Sequence, residues 1–144
     1  MYNTKRIKEL IDALPSNNIY ELLYLNDIDI IESNKLINKK LESQIVIVNK
    51  EAGIYIKPNL DEMYKQFLLR HEFAHYLLHY EEDKHYNFYL SRFKNKSELE
   101  ANLFSVISLL KDLDIYEDTN VLELLINNGV PEQIAIQTFE ALKL

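Results

Sequence analysis

Hydrophobic residues recur along this chain with two different periods, and each change of period marks a change of element. Ile7, Leu10, Ile11 and Leu14 fall at helical spacing and Pro15 limits them, so residues 2–14 are predicted as a helix. Asn17 and Asn18 are placed to cap a short second helix over Ile19–Leu25. The period then shortens to two. Asp27-Ile28-Asp29-Ile30-Ile31-Glu32 alternates polar and apolar residues and reads as a strand, and Gln44-Ile45-Val46-Ile47-Val48, rich in β-branched residues, reads as a stronger one. Residues 49–53 read as a turn in which Gly53 supplies a positive φ. Ile54-Tyr55-Ile56 returns as the partner strand and Pro58 stops it. As an exposed edge, the strand at 53–57 would offer its backbone to a bound peptide. Residues 33–43 are polar and read mostly as loop.

The helical period resumes over 60–79, with Asn59 or Asp61 as the cap, and the polar run 81–96 reads as an interhelical loop. Ser97 and Glu100 form a capping-box pattern at the head of a helix over 97–111. Thr119 or Asn120 opens a further helix through Ile126, Asn127-Asn128-Gly129 ends it, and Pro131 stands where a last helix to about Leu142 begins. The class is therefore α+β: a small antiparallel sheet early, helices afterwards. No linker or repeat divides the chain, so residues 1–144 are expected to form one domain, with 112–144 a C-terminal helical extension packed on the core. Recognition of a partner or dimerisation is an alternative use of that extension. The turn at 127–131 resembles that of a helix-turn-helix, but Glu132 and Glu140 and the scarcity of basic residues argue against DNA.

Composition narrows the chemistry. Only 2 Gly and 3 Pro disfavour a loop-rich all-β fold, and the absence of Cys removes disulfides, thiol catalysis and thiolate metal sites. Any metal must be held by His, Asp or Glu. A formal net charge of −7 argues against direct nucleic-acid binding and suits a basic protein partner. No run approaches the roughly 20 apolar residues of a membrane span and no secretory signal is present, so the protein is expected in the cytoplasm, away from membranes.

The chemistry-bearing segment is His71-Glu72-Phe73-Ala74-His75. Residues four apart on a helix lie one turn above each other, so both imidazoles can bind one zinc ion. Glu72, beside the first ligand, can take the proton of a water activated there. Two histidines one turn apart also occur as ordinary surface residues. Here, however, Phe67, Leu68, Phe73, Ala74, Leu77 and Leu78 surround them, and polar groups in an apolar setting are costly unless something binds them. Glu98 can complete a three-ligand set, or it is a solvated acid favoured in a first turn by the helix dipole. Asn102, one turn on, could accept from the free ring nitrogen of His71. Glu100 points elsewhere and is assigned to the cap. The position of a third histidine in the extended HExxHxxGxxH pattern holds Glu81, which excludes that class. His79 has drifted by roughly 80° from His71 and is read as packing or hydrogen-bonding beside the site rather than as a ligand. His85 is read as a solvated loop residue. No residue is marked to stabilise an oxyanion; His85, Tyr86, Tyr89 and Arg92 are candidates.

The runs Arg70-His71-Glu72-Phe73-Ala74-His75-Tyr76-Leu77-Leu78-His79 and Glu98-Leu99-Glu100-Ala101-Asn102-Leu103-Phe104 resemble the ImmA/IrrE family of small metallopeptidases, which pairs a HE-hydrophobic-GH-YLLH helix with an ExEAN-x-F helix. The resemblance covers about residues 20–112. It implies a zincin-like core, zinc on His71, His75 and Glu98, Glu72 as catalytic residue, and Asn102 supporting the first histidine. Ala74 departs from the usual glycine, and Lys111-Asp112 stand where Met-Pro is frequent. Family members are often carried by phages and mobile elements, and some cleave a helix-turn-helix repressor. The resemblance thus implies an endopeptidase acting on such a repressor. A non-catalytic antirepressor or antitoxin-like protein that sequesters its partner is the alternative, and a structural protein with a fortuitous motif is a third.

Overall fold

The computed structural model describes residues 3–34, 42–80, 85–88 and 96–142, the stretch 85–88 by its backbone. Within them the chain forms α1 (Thr4–Ala13), α2 (Ile19–Leu25), β1 (Asp29–Glu32), β2 (Ser43–Val48), β3 (Glu51–Ile56), α3 (Glu62–Leu78), β4 (His85–Phe88), α4 (Lys96–Lys111), α5 (Val121–Asn127) and α6 (Glu132–Leu142). This is the α+β arrangement expected: a small sheet with helices packed on it.

Asparagine and aspartate set the helix starts. Asn3, Asn18 and Asn120 each accept a backbone N–H three residues on, and Asp61 accepts from Met63 and Tyr64. Each satisfies donors that a bare helix end leaves orphaned. Two helices end alike. After α2, Asp27 takes φ 55° and the Ile28 N–H returns to the Leu23 carbonyl. After α5, Gly129 takes φ 93° and the Val130 N–H returns to Leu125. Both are left-handed caps. Gly129 is also forced by contact, since a Cβ there would lie 2.5 Å from the Met63 carbonyl carbon.

The sheet order is β1-β3-β2-β4. β2 runs antiparallel to both β3 and β4, while β1 pairs parallel with β3, so the sheet is mixed rather than purely antiparallel. The hairpin differs from the expected one. Its turn is Asn49-Lys50, both at positive φ, and β3 already starts at Glu51. A two-residue turn of this kind matches the strand twist, and asparagine tolerates it. Gly53 lies mid-strand opposite Val46, its missing side chain leaving room for Ile31 of β1. β3 is consequently flanked on both sides and is not an edge; among the described residues the edges are β1 and β4. The polar run 81–96 is also not all loop, because residues 85–88 extend the sheet beside β2. The alternation of Tyr86 and Phe88 with His85 and Asn87 is a strand signal that the polar flanks of the run masked. The reading of 33–43 as loop falls largely outside the described residues.

Alternation in β2 and β3 turns Ile45, Ile47, Ile54 and Ile56 inward, all fully buried, against Leu68, Leu69 and Phe73 of α3 in one core. Burying each such side chain contributes about 1.5–3 kcal/mol. Leu125, Val130, Ile134 and Ala135 from the last two helices belong to the same cluster. Pinned between sheet and α4, α3 is buried without a break from Phe67 to His75. Among the described residues no helix is long and apolar enough to cross a membrane.

Candidate metal centre

The fold places α3 and α4 side by side. The apolar faces of α3 are consumed by the sheet and by Phe104, so the remaining face, bearing His71 and His75, meets the first turns of α4. There Glu98 reaches both rings: Oε1 lies 3.2 Å from His71 Nε2 and Oε2 lies 2.6 Å from His75 Nε2. The ligand atoms of the three residues lie within 4.8 Å of one another, and both histidines are fully buried. The rings stand nearly perpendicular, at 80°, with centroids 4.9 Å apart.

Each imidazole is held from behind. His71 Nδ1 donates to Asn102 Oδ1 at 2.7 Å, which directs its Nε2 lone pair toward Glu98. His75 Nδ1 lies 3.0 Å from His79 Nδ1, and His79 Nε2 donates to Glu100 Oε1 at 3.1 Å. Glu100 was assigned to the cap, on a different side of α4 from Glu98. The structure instead brings it to His79, because a glutamate is long enough to flank the contact line between the two helices. Ser97 lies inside the first turn of α4 rather than ahead of it.

Glu72 is fully buried beside the cluster. Its Oε2 accepts from Ser43 Oγ at 2.6 Å, and its Oε1 has no hydrogen-bond partner among the described residues. Burial pushes its carboxyl up to about 7, against the pull of His71, Ser43 and the Ile45 backbone. Burial would also raise Glu98, but the hydrogen bonds and charges of the two imidazoles outweigh it and hold the group down at about 2. The histidines diverge. Burial carries His75 down to about 4, whereas at His71 the same penalty is overcome by the Glu98 hydrogen bond and by the charges of Glu72 and Glu98, and the net direction is upward. Without metal, then, burial disfavours a proton on His75, whereas Glu98 and Glu72 favour one on His71. A dication in place of that proton would satisfy all three donors at once. Two imidazoles and one carboxylate on neighbouring helices are a donor set that catalytic zinc takes, so the cluster fits a zinc site.

Ser43 was not singled out from sequence. The signal was present: Ser43, Ile45 and Ile47 share one face of β2, and a hydroxyl heading an inward isoleucine row needs a polar partner. Tyr76 stacks on Phe73 and meets Tyr80 edge-on, away from the ligands. His85 and Tyr86 lie on β4 rather than in a loop, and Tyr89 and Arg92 lie outside the described residues.

No curated protein and no solved structure matches the chain. A family model described as the IrrE N-terminal-like domain, of a peptidase family, matches residues 27–128, a span that holds the sheet, both ligand-bearing helices and the whole cluster. With most of its length accounted for in this way and a buried His-His-Glu trio at its centre, the chain belongs to the IrrE N-terminal-like family of zinc-dependent metallopeptidases.

Proposed function

We propose that the chain is an endopeptidase in which His71, His75 and Glu98 hold zinc, Glu72 is the catalytic acid–base, and Asn102 and His79 orient the two histidines. The observation that carries this reading is a fully buried carboxylate with one bare oxygen, set next to three converging donors. Zinc held there would supply Lewis-acid activation of water and of the scissile carbonyl. The protein's own groups do the rest. Glu72 takes a proton from the attacking water and passes it to the leaving amine as the C–N bond breaks. Asn102 and His79 keep the ring nitrogens in the tautomers that leave both Nε2 atoms free to bind. The anionic Glu98 balances the ion's charge.

The favoured substrate is a regulatory protein, a DNA-binding helix-turn-helix repressor of a phage or mobile element. The net charge of −7 supports a basic partner. Such a substrate places the enzyme in the cytoplasm. The joint core of α5 and α6 with the sheet supports treating 1–144 as one catalytic domain, with 112–144 as its packed extension.

The test pairs two measurements on tag-free protein: metal content by mass spectrometry, and cleavage of a co-expressed repressor. Wild type should hold one zinc per chain and cut. Glu72→Gln should hold zinc and not cut. Cutting by that variant at the wild-type rate ends the mechanism, and repressor inactivation without cutting would instead favour sequestration.

A further inference from the structure

Glu72 is held by a residue outside both helical motifs. Ser43 opens β2, and the alternation that sends Ile45 and Ile47 into the core sends its side chain the same way, to full burial. Among the described residues that buried hydroxyl donates to Glu72 Oε2 at 2.6 Å. A hydroxyl–carboxylate contact of that length is a charge-assisted hydrogen bond. The other oxygen, Oε1, is just as buried and has no donor among the described residues. The two oxygens of one carboxylate are thus made inequivalent by β2, through the Ser43 hydroxyl on Oε2 and with the Ile45 backbone of the same strand also drawing on the carboxylate.

We infer that Ser43 is a positioning residue for the peptidase reaction: it holds Glu72 Oε2 and so reserves Oε1 for the proton that moves from water to the leaving amine. A glutamate side chain has three rotatable bonds, and a base must lie within hydrogen-bond reach of its proton. Fixing one oxygen on the sheet removes most of that rotational freedom and leaves the other facing the reaction. Atoms balance simply: Oε1 accepts one proton as water adds to the carbonyl carbon and returns it to nitrogen as the C–N bond breaks. Ser43 neither gains nor loses a proton. The sheet then has a second task besides covering α3, since the position of β2 fixes the aim of the base.

This inference rests on the zinc reading above, and its test separates the two. Five full-length chains are compared: wild type, Ser43→Ala, Ser43→Thr, Glu72→Gln, and Ser43→Ala with Glu72→Gln. Zinc affinity is measured by chelator competition, and the zinc-loaded proteins are titrated with acetohydroxamate. That probe chelates the ion and hands its proton to an adjacent carboxylate, so its affinity reports where Glu72 points. Zinc affinity should stay within about threefold in Ser43→Ala, because the Ser43 hydroxyl donates to Glu72 and not, among the described residues, to a ligand atom. Acetohydroxamate should bind about tenfold more weakly, the loss expected for one hydrogen bond to a charged group. Ser43→Thr, which keeps the hydroxyl, should recover most of the affinity. In the Glu72→Gln background the Ser43→Ala change should add little.

Unchanged acetohydroxamate binding in Ser43→Ala, or an equal loss with and without the Glu72 carboxylate, overturns the inference while leaving the zinc site standing. Loss of zinc affinity and melting temperature together in Ser43→Ala, with no recovery in Ser43→Thr, assigns Ser43 to the core and overturns it too. A wild-type chain that takes up no zinc overturns both this and the reading beneath it.

Discussion

The interface of α3 with its neighbours carries two buried polar clusters, facing opposite ends of α4, and they are built on opposite principles. Toward the C-terminal end of α4, Arg70 donates to Ser108 Oγ and to the Asn17 carbonyl, at 2.9 Å for the latter, with Asp112 at 3.8 Å. Ser108 Oγ donates onward to Asn17 Oδ1, and Asn17 Nδ2 returns to the Ser108 carbonyl. Every hydrogen bond runs from a donor to an acceptor, and the circuit closes. At the other end, two imidazoles and the Glu98 carboxylate converge, with Glu72 beside them, and the three converging groups present acceptors once the histidines are neutral. Buried acceptors facing acceptors need a cation. Burial of polar groups alone therefore does not mark a site, since Arg70 is as buried as the ligands. The donor–acceptor count does: the Arg70 cluster is complete in itself and ties α1–α2, α3 and α4 together, while the histidine cluster is completed by something bound.

The largest expected effect follows from Glu72. Glu72→Gln keeps shape and volume but removes the base, so cleavage should fall by about 10²–10⁴-fold with zinc content unchanged. An Arg70→Ala protein, destabilised but assayed well below its melting temperature, should cut at nearly the wild-type rate. A similar loss in both would mean that the two ends are not functionally distinct.

Stability inverts the comparison. Arg70→Ala leaves Ser108 Oγ and the Asn17 carbonyl without their buried donor and should cost about 2–3 kcal/mol in denaturant unfolding, with or without zinc. His75→Ala removes a ligand from an acceptor-rich cluster and should cost the metal-free protein less. Its signature lies in linkage. Zinc at 100 times its dissociation constant should stabilise wild type and Arg70→Ala by about 2.7 kcal/mol, and His75→Ala scarcely at all. A zinc-induced stabilisation that survives in His75→Ala would place the ion elsewhere.

Asn102→Ala tests the support rather than the ligand. Second-shell partners of ligating histidines are typically worth about 10–100-fold in metal affinity. A weakening in that range by chelator competition, with the fold intact, is expected. The Asn102 amide nitrogen has no partner among the described residues, so its loss strands nothing else at that atom.

How much of this was legible in the sequence depends on whether the determinant is local. The helix caps at Asn18, Asp61 and Asn120 and the inward isoleucines of β2 are written within a few residues, and so is the HExxH pair. The ExEAN helix was legible because its spacing repeats one helical turn. The hairpin turn expected at 49–53 is too long because glycine reads as its close, though the close approach of Ile31 is what needs Gly53. β4 was missed because its pairing with β2 lies some forty residues away in sequence and its short alternation of Tyr86 and Phe88 sits within a charged run. Ser43, Glu100 and the Arg70 circuit share one reason for escaping notice. Each is defined by a partner on another element, and no periodicity within its own segment announces that partner.

The subtlest contrast is in pH. Glu72, raised to about 7 by burial, binds a proton in the folded metal-free chain at pH values where the unfolded chain, near the ordinary 4.5, has released it. Its contribution to stability is therefore present in full below about 4.5 and lost as pH rises to 7. His75, lowered to about 4, works in the opposite sense over an overlapping range, gaining stability as pH rises to its ordinary 6.5. Wild-type stability alone will not separate them. The difference between Glu72→Gln and wild type will, because the variant removes Glu72 and its pull on His71 while leaving His75 in place. That difference should grow in the variant's favour between pH 4.5 and 7, by some fraction of about 1.4 kcal/mol per pH unit. The Arg70→Ala difference should stay flat over the same window, since the guanidinium remains charged throughout. A flat Glu72→Gln difference would mean that water reaches this carboxylate in the metal-free chain, and the contrast between a self-complete cluster and one held short of its cation would narrow accordingly.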